Sequence, residues 1–135
     1  MEKFIYGKLS GDATLVSLIG GARIYSETAP QDTVEPYVVF QFVSGDDVKN
    51  CSQDMLMLDA YYMVKAIDKG GTIARCAPIA DRIFSLLHKS SGVVAGGITV
   101  DTCVREKHLS YAELGEGGIQ YRHHGAEYRL NAHRS

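Results

Sequence analysis

The stretch GGARIYSETAPQDTVEPYVVFQFVS, residues 20–44, decides how this chain is read. Gly20-Gly21 stops a helix, because glycine reaches the left-handed conformation at little steric cost. ARIYSE then reads as a short strand. Pro30 and Pro36 bracket a polar loop; each fixes φ and lacks a donor, so neither belongs inside a ladder. YVVFQFVS (37–44) is β-branched and aromatic, the strongest strand signal in the chain. Apart from Gln41 it is apolar on both faces, so both faces should be covered. The stretch holds no group that looks like a catalyst.

Upstream, Phe4, Ile5 and Leu9, then Ala13, Val16, Leu18 and Ile19, recur at helical spacing, interrupted by Ser10-Gly11-Asp12. Asp12 is placed to cap the second of two short helices by accepting a backbone N–H of its first turn. Downstream, residues 45–54 are polar and contain Gly45 and Asn50, which predicts a turn region. MLMLDAYYMVKA (55–66) is the next strand. Its Leu56, Leu58, Ala60, Tyr62 and Val64 form the core face; Met55, Met57, Asp59, Tyr61, Met63 and Lys65 form the other. The two strands should pair as a long antiparallel hairpin.

Residues 70–88 carry an apolar stripe, Ile73, Ala77, Ala80, Phe84 and Leu87, and read as a helix. Pro78 conflicts with that span, since mid-helix proline costs about 3 kcal/mol. Either the helix kinks there or it begins only near Cys76. VVAGGITV predicts a tight hairpin around Gly96-Gly97. Its second arm runs toward His108, and ELGEGG (113–118) is a glycine loop. IQYRHHGAEYRLNA (119–132) is a last strand, polar enough to read as a solvated edge, with Gly125 marking a bulge. The expected fold is α+β: an antiparallel sheet of four to six strands with helices on one face, in a single domain spanning 1–135.

Bulk properties exclude several function classes. The chain has 135 residues, 14 basic and 16 acidic, and a formal net charge of −2. A nucleic-acid binder is usually strongly basic. No apolar run approaches the ~20 residues that span a bilayer, and MEKFIYGKLSGDA does not read as a signal peptide. Cys51, Cys76 and Cys103 make an odd set without CxxC spacing, which favours free thiols over a disulfide framework. His123 and His124 are strand neighbours and point to opposite faces, so they do not converge on one metal ion. Asp46-Asp47 lies on an expected turn, without the pocket that would set two carboxylates apart. Asp59 interrupts an apolar strand and is read as paired, with Lys65 or with a neighbouring strand or subunit. No phosphate loop or nucleophile elbow occurs. No cofactor and no catalytic residue is expected. What exceeds one domain's need is apolar surface: the Met55, Met57, Tyr61, Met63 face suits a protein contact.

A helix ending at Gly-Gly, then RIY, then AP, a short polar loop, and PYVVFQFVS resembles the tail-completion, or tail-terminator, family of long-tailed bacteriophages, prophages and gene transfer agents. IADRIFSLLH, AGG and the closing strands continue the likeness from Ala13 to Leu130. Pro78 and the histidine-containing last strand depart from the pattern. The resemblance implies a virion protein that forms a ring, usually a hexamer, in the tail at the head–tail junction, assembled in the host cytoplasm. Such a ring caps the tail tube and meets head-completion or connector proteins, while DNA only passes through its lumen and no membrane is involved. No catalytic residues come with it. Within that frame Met57, Asp59, Tyr61 and Met63 are assigned to one subunit contact, and the loop Gln31–Glu35 to the complementary one. Asp46, Asp47 and Lys49, with Glu113 and Glu116, are assigned to two loops that touch tube or connector. Rival readings are a head-closure or connector adaptor ring, a small ligand-binding or enzymatic α+β domain using Asp101, Arg105 and His108, and a nucleic-acid module on the basic C-terminal strand.

Overall fold

A computed structural model describes residues 1–49, 55–70, 72–94 and 96–134 of the chain. Two short helices open it, α1 (Glu2–Ser10) and α2 (Ala13–Ile19). Asp12 caps α2, its carboxylate accepting the Leu15 N–H at 2.8 Å, and Gly20 ends it in the left-handed conformation at φ 88°. Arg23 explains why the following RIY is tied to the second proline. Its guanidinium donates to the carbonyls of Ile19, at the end of α2, and of Pro36, at the start of the next long strand. One side chain thus closes the helix and sets where that strand enters.

The strands are β1 (Ile24–Ser26), β2 (Tyr37–Lys49), β3 (Met55–Lys69), β4 (Gly92–Val94), β5 (Ile98–Leu114) and β6 (Gln120–Arg134). They form one sheet in the order β1-β2-β3-β6-β5-β4. Every pairing is antiparallel except β1 with β2, which is parallel and makes the sheet mixed rather than purely antiparallel. Helix α3 (Cys76–Leu87) crosses from β3 to β4. It begins at Cys76, so Pro78 sits in the first turn, where a missing N–H costs no helical bond.

All three helices lie on one face of the sheet. Helix α3 packs on β3, β6 and β5, and α1 touches both outermost strands, β1 and β4, so the sheet curls around the helical layer. The core between them contains Ile5, Leu9, Leu15, Ile19, Ile79, Ile83 and Leu87 from the helices, and Val38, Phe40, Val64, Val100 and Leu130 from the sheet.

Four expectations are corrected. The strand beginning at Tyr37 does not end at Ser44. It continues through Gly45, Asp46 and Asp47 to Lys49, because a register shift between Phe42 and Ser44 re-aims it and pairing with β3 persists. The second arm of the glycine hairpin likewise runs on to Leu114. The last strand is not a solvated edge: β6 lies between β3 and β5, and Ala126, Tyr128, Leu130 and Ala132 are buried. Nor does Gly125 mark a bulge, since the register shifts fall on β2, β3 and β5 and the β3–β6 register runs without one. A Cβ at Gly125 would lie 2.2 Å from the Val64 carbonyl oxygen, so glycine is needed for close approach of β6 to β3.

Candidate assembly surface

The face of the sheet opposite the helices is built by the odd-numbered positions of β3 and β6. Toward one end it carries Met57, Asp59, Tyr61 and Met63, aligned with His133, Asn131, Arg129 and Glu127 of β6. Arg129 grips Asp59 with two bonds, Nε at 2.9 Å and Nη2 at 2.8 Å, and its guanidinium lies over the Tyr61 ring at 5.9 Å. The hydrogen-bonded guanidinium holds the Asp59 carboxyl below its ordinary range. Asp46 stands directly across from Asp59 on β2. Like charges so placed repel, and Arg129 offsets that repulsion. Met57 is 42% exposed.

Toward the other end the same face is roofed by the loop 27–35. A groove of about 780 Å³ runs between that loop and Lys65, Lys69, Tyr121 and His123. Lys65 and His123 are buried. The Lys65 ammonium donates to the Tyr111 hydroxyl at 2.8 Å, and the Tyr111 ring stacks on His123 at 4.5 Å and 9°. Burial, then the Lys65 charge, lower the His123 pKa, while Glu113 opposes them.

The register places the two long hairpin tips at opposite ends of this sheet. Met57 aligns with His133 near the β2–β3 tip, whereas Lys69 aligns with Tyr121 beside the β5–β6 tip. Between them runs the length of β6, roughly 45 Å at ~3.3 Å per residue.

The expected contact residues therefore fall as follows. Met57, Asp59, Tyr61 and Met63 share one face, as their alternation predicts. Gln31 and Glu35 line the groove on the same side of the sheet, at its other end. Asp59 is held by the neighbouring strand, through Arg129, and not by Lys65. Asp46 and Asp47 lie on β2, not in a turn, because pairing with Asp59 and Leu58 extends that far. Lys49 is the last residue of β2; its side chain, and the tip at 50–54, lie outside the described residues. Glu113 is on β5, paired with Tyr121, and Glu116 is in the short 3₁₀ turn Glu116–Gly118 at the tip. Arg105 and His108 line one small cavity of about 40 Å³ with Asp81 and His124, whereas Asp101 bonds His133 away from it, so the three do not form one set. Arg129, Tyr111 and His123 were not singled out as contact-forming; their partners are strand neighbours distant in sequence, which no local pattern reveals.

Other chemistry finds little support among the described residues. No group of three or more His, Cys, Asp or Glu is placed to hold a metal ion. Cys76 and Cys103 are buried, and burial pushes their thiols up to about 11 and about 12, away from the reactive thiolate.

Comparison with known proteins gives a consistent picture. The profile of a family described as tail completion protein gp17 matches residues 3–124. No curated protein sequence matches the chain. Among solved structures, a chain from the "Virion of native gene transfer agent (GTA) particle" superposes with a TM-score of 0.64 at 16% identity, covering 94% of this chain and 91% of that one. At that identity the likeness is one of fold.

Proposed function

The chain belongs to the tail completion protein gp17 family, and on that premise we propose that it is a tail terminator: a ring, hexameric in number, that caps the tail tube and joins it to the head-completion complex. The match across residues 3–124 carries the reading, and the likeness to a chain of a gene transfer agent virion supports it. The architecture is suited to the task. A protein inserted between tube and head needs two separate contact regions, and the strand ends that lead into the β2–β3 and β5–β6 connections lie at opposite ends of one sheet. Loops are where such contacts are commonly built on a rigid scaffold.

In this reading the β5–β6 tip, with Glu116, meets one axial neighbour. The β2–β3 tip, flanked by Asp46, Asp47 and Lys49, meets the other. The face bearing Met57, Tyr61 and Met63 contributes to the contact between subunits, as do Gln31 and Glu35 on the opposite half. The loop that carries Gln31 and Glu35 is held by prolines at 30 and 36, which lowers the entropy lost when it is fixed against a partner. DNA passes through the ring without being read, in keeping with a net charge of −2.

The test is to replace each tip separately by a two-residue Asn-Gly turn, one variant at 115–118 and one at 50–54. Each variant should keep the mass of the parent assembly and fail to join heads to tails in an in vitro assembly assay. Normal joining by both variants contradicts the assignment.

A further inference from the structure

We propose that neighbouring copies of this chain join edge to edge, the outer edge of β2 at residues 42–49 pairing antiparallel with the outer edge of β5 at residues 106–114 of the next copy. The proposal rests on the ring reading and names the seam of that ring.

Beyond Phe42, whose N–H donates to the Glu27 carboxylate at 3.4 Å, both edges are open among the described residues. Strand β1 covers β2 only at Val38, Val39 and Phe40, and β4 covers β5 only at Ile98, Thr99 and Val100. The direction of the free groups follows from the bonds nearby. Val38 donates outward to the Arg23 carbonyl and Phe40 accepts from Glu27. These residues oppose Ala66 and Val64, and the even positions of β3 continue to Ala60 and Leu58, across from Gly45 and Asp47. Gly45 and Asp47 therefore turn their backbone groups to the edge. On β5, Cys103 accepts outward from Lys89 and Arg105 donates outward to His88 Nδ1. They oppose Leu130 and Tyr128, and the same parity on β6 leads to His108, Ser110, Ala112 and Leu114. Among the described residues no backbone of the chain pairs with these positions. Unprotected edges of this length are templates for another strand.

The polarity fits. From β2 through β3 and β6 to β5 each neighbour is antiparallel, so β2 of a second copy laid beside β5 continues the alternation. The side chains fit as well. Phe42 and Val43 are exposed apolar residues on one edge, Tyr111 and Leu114 on the other. The β2 edge carries Asp46-Asp47, and the β5 edge carries Lys107-His108. One antiparallel register brings the two edges together. With Asp47 across from His108, Ser44 falls across from Tyr111, Val43 across from Ala112 and Phe42 across from Glu113, so Tyr111 and Leu114 each lie one position from direct opposition to Val43 and Phe42.

That register is also compatible with closure. Within one copy Asp47 is level with Leu58, Ala132 and Val100, whereas His108 is level with Ala126. The neighbour is thus offset by the rise from Ala126 to Ala132, roughly 20 Å at ~3.3 Å per residue, over four strands spanning roughly 19 Å at ~4.8 Å spacing. Without axial displacement of subunits, the offset requires strands inclined at roughly 45° to the ring axis, close to the 35–45° tilt of closed barrels. A head-to-tail contact must close on itself, and the inclination this register demands is one that closed barrels adopt.

The experiment uses a Cys51→Ser background, in which the buried Cys76 and Cys103 are silent to maleimides. Asp47→Cys and His108→Cys are added together, and the assembly, with tube protein present if the ring forms only on the tube, is treated with a short bis-maleimide. Within one copy the two positions are roughly 25 Å apart by strand spacing, beyond the reach of a short linker. The double variant should give a ladder of linked chains up to the full ring, and each single variant should stay unlinked. Ser110→Pro, which removes an outward N–H that the chain itself does not use, should give folded monomers. A ring that forms normally with Ser110→Pro and yields no ladder overturns the edge pairing and leaves the ring reading standing. Links to tube protein in place of a ladder also overturn it, in favour of a strand donated by the tube. An unmodified chain that stays monomeric with and without tube protein overturns the ring reading itself, and the seam with it.

Discussion

His123 lies with its ring flat on Tyr111, beside the Lys65 ammonium and within 3.5 Å of Glu113. Its Nδ1 is buried without a partner among the described residues. Burial and the adjacent cation disfavour the imidazolium, so the folded-state pKa lies below the unfolded value of about 6.5. Above that pH both states are neutral at this site and no stability is lost. As pH falls through about 6.5 the unfolded chain takes up a proton that the folded chain still refuses, so stability declines. The denaturation midpoint should therefore drop between pH 7.5 and pH 5.5, and His123→Gln should flatten that drop. Equal slopes in parent and variant would show that the site does not resist protonation. The lone histidine pair was visible in the sequence as a feature. Its environment was not, because the partners Lys65 and Tyr111 come from two other strands.

At the scale of elements, the helices and the entry to the sheet were legible, and the reach of the strands was not. Asp12, Gly20 and Pro78 act through backbone conformation and local donors, so their neighbours in sequence suffice to place them. The extension of β2 through Gly45-Asp46-Asp47 and the central position of β6 depend on a partner strand that lends hydrogen bonds to a polar segment. The composition of β6 misleads for that reason. On the face toward α3, Ala126, Tyr128, Leu130 and Ala132 make a buried apolar run flanked by Gln120, Arg122 and His124 earlier in the strand and by Arg134 at its end, while Tyr121, His123, Glu127, Arg129, Asn131 and His133 share the other face. Gly125 is the point where β6 passes nearest to β3. Adding a methyl group there forces the two strands apart against the Val64 carbonyl and the Lys65 backbone. Gly125→Ala should cost about 1–3 kcal/mol or more in chemical denaturation. A variant as stable as the parent would mean that the strands separate there without loss.

For the whole molecule, two features suit this sheet to the ring proposed above: connections between long strands at both ends and, among the described residues, long edge segments on both sides that no other strand covers. The tip regions could be anticipated from their polar and glycine-rich sequence, although Asp46, Asp47 and Glu113 proved to be strand residues. The open edges could not, since an edge is defined by which strand fails to cover it. Apolar surface in excess of one domain's need was visible and was assigned to the Met55, Met57, Tyr61, Met63 face; Met57 is exposed there, and the exposed Tyr111 and Leu114 on β5 required the fold. The face around Met57 and Tyr61 lies on the same sheet, one strand inward from the β2 edge. A seam at that edge therefore brings the neighbour's Tyr111 over Ser44 and toward Tyr61.

The most direct measurement of the central claim is absolute mass by light scattering across a size-exclusion peak, over a range of concentrations, with and without tube protein. A closed assembly near six times the 14.8 kDa chain, alone or once tube protein is added, is the predicted result. A strict monomer at every concentration and in the presence of tube protein would contradict it.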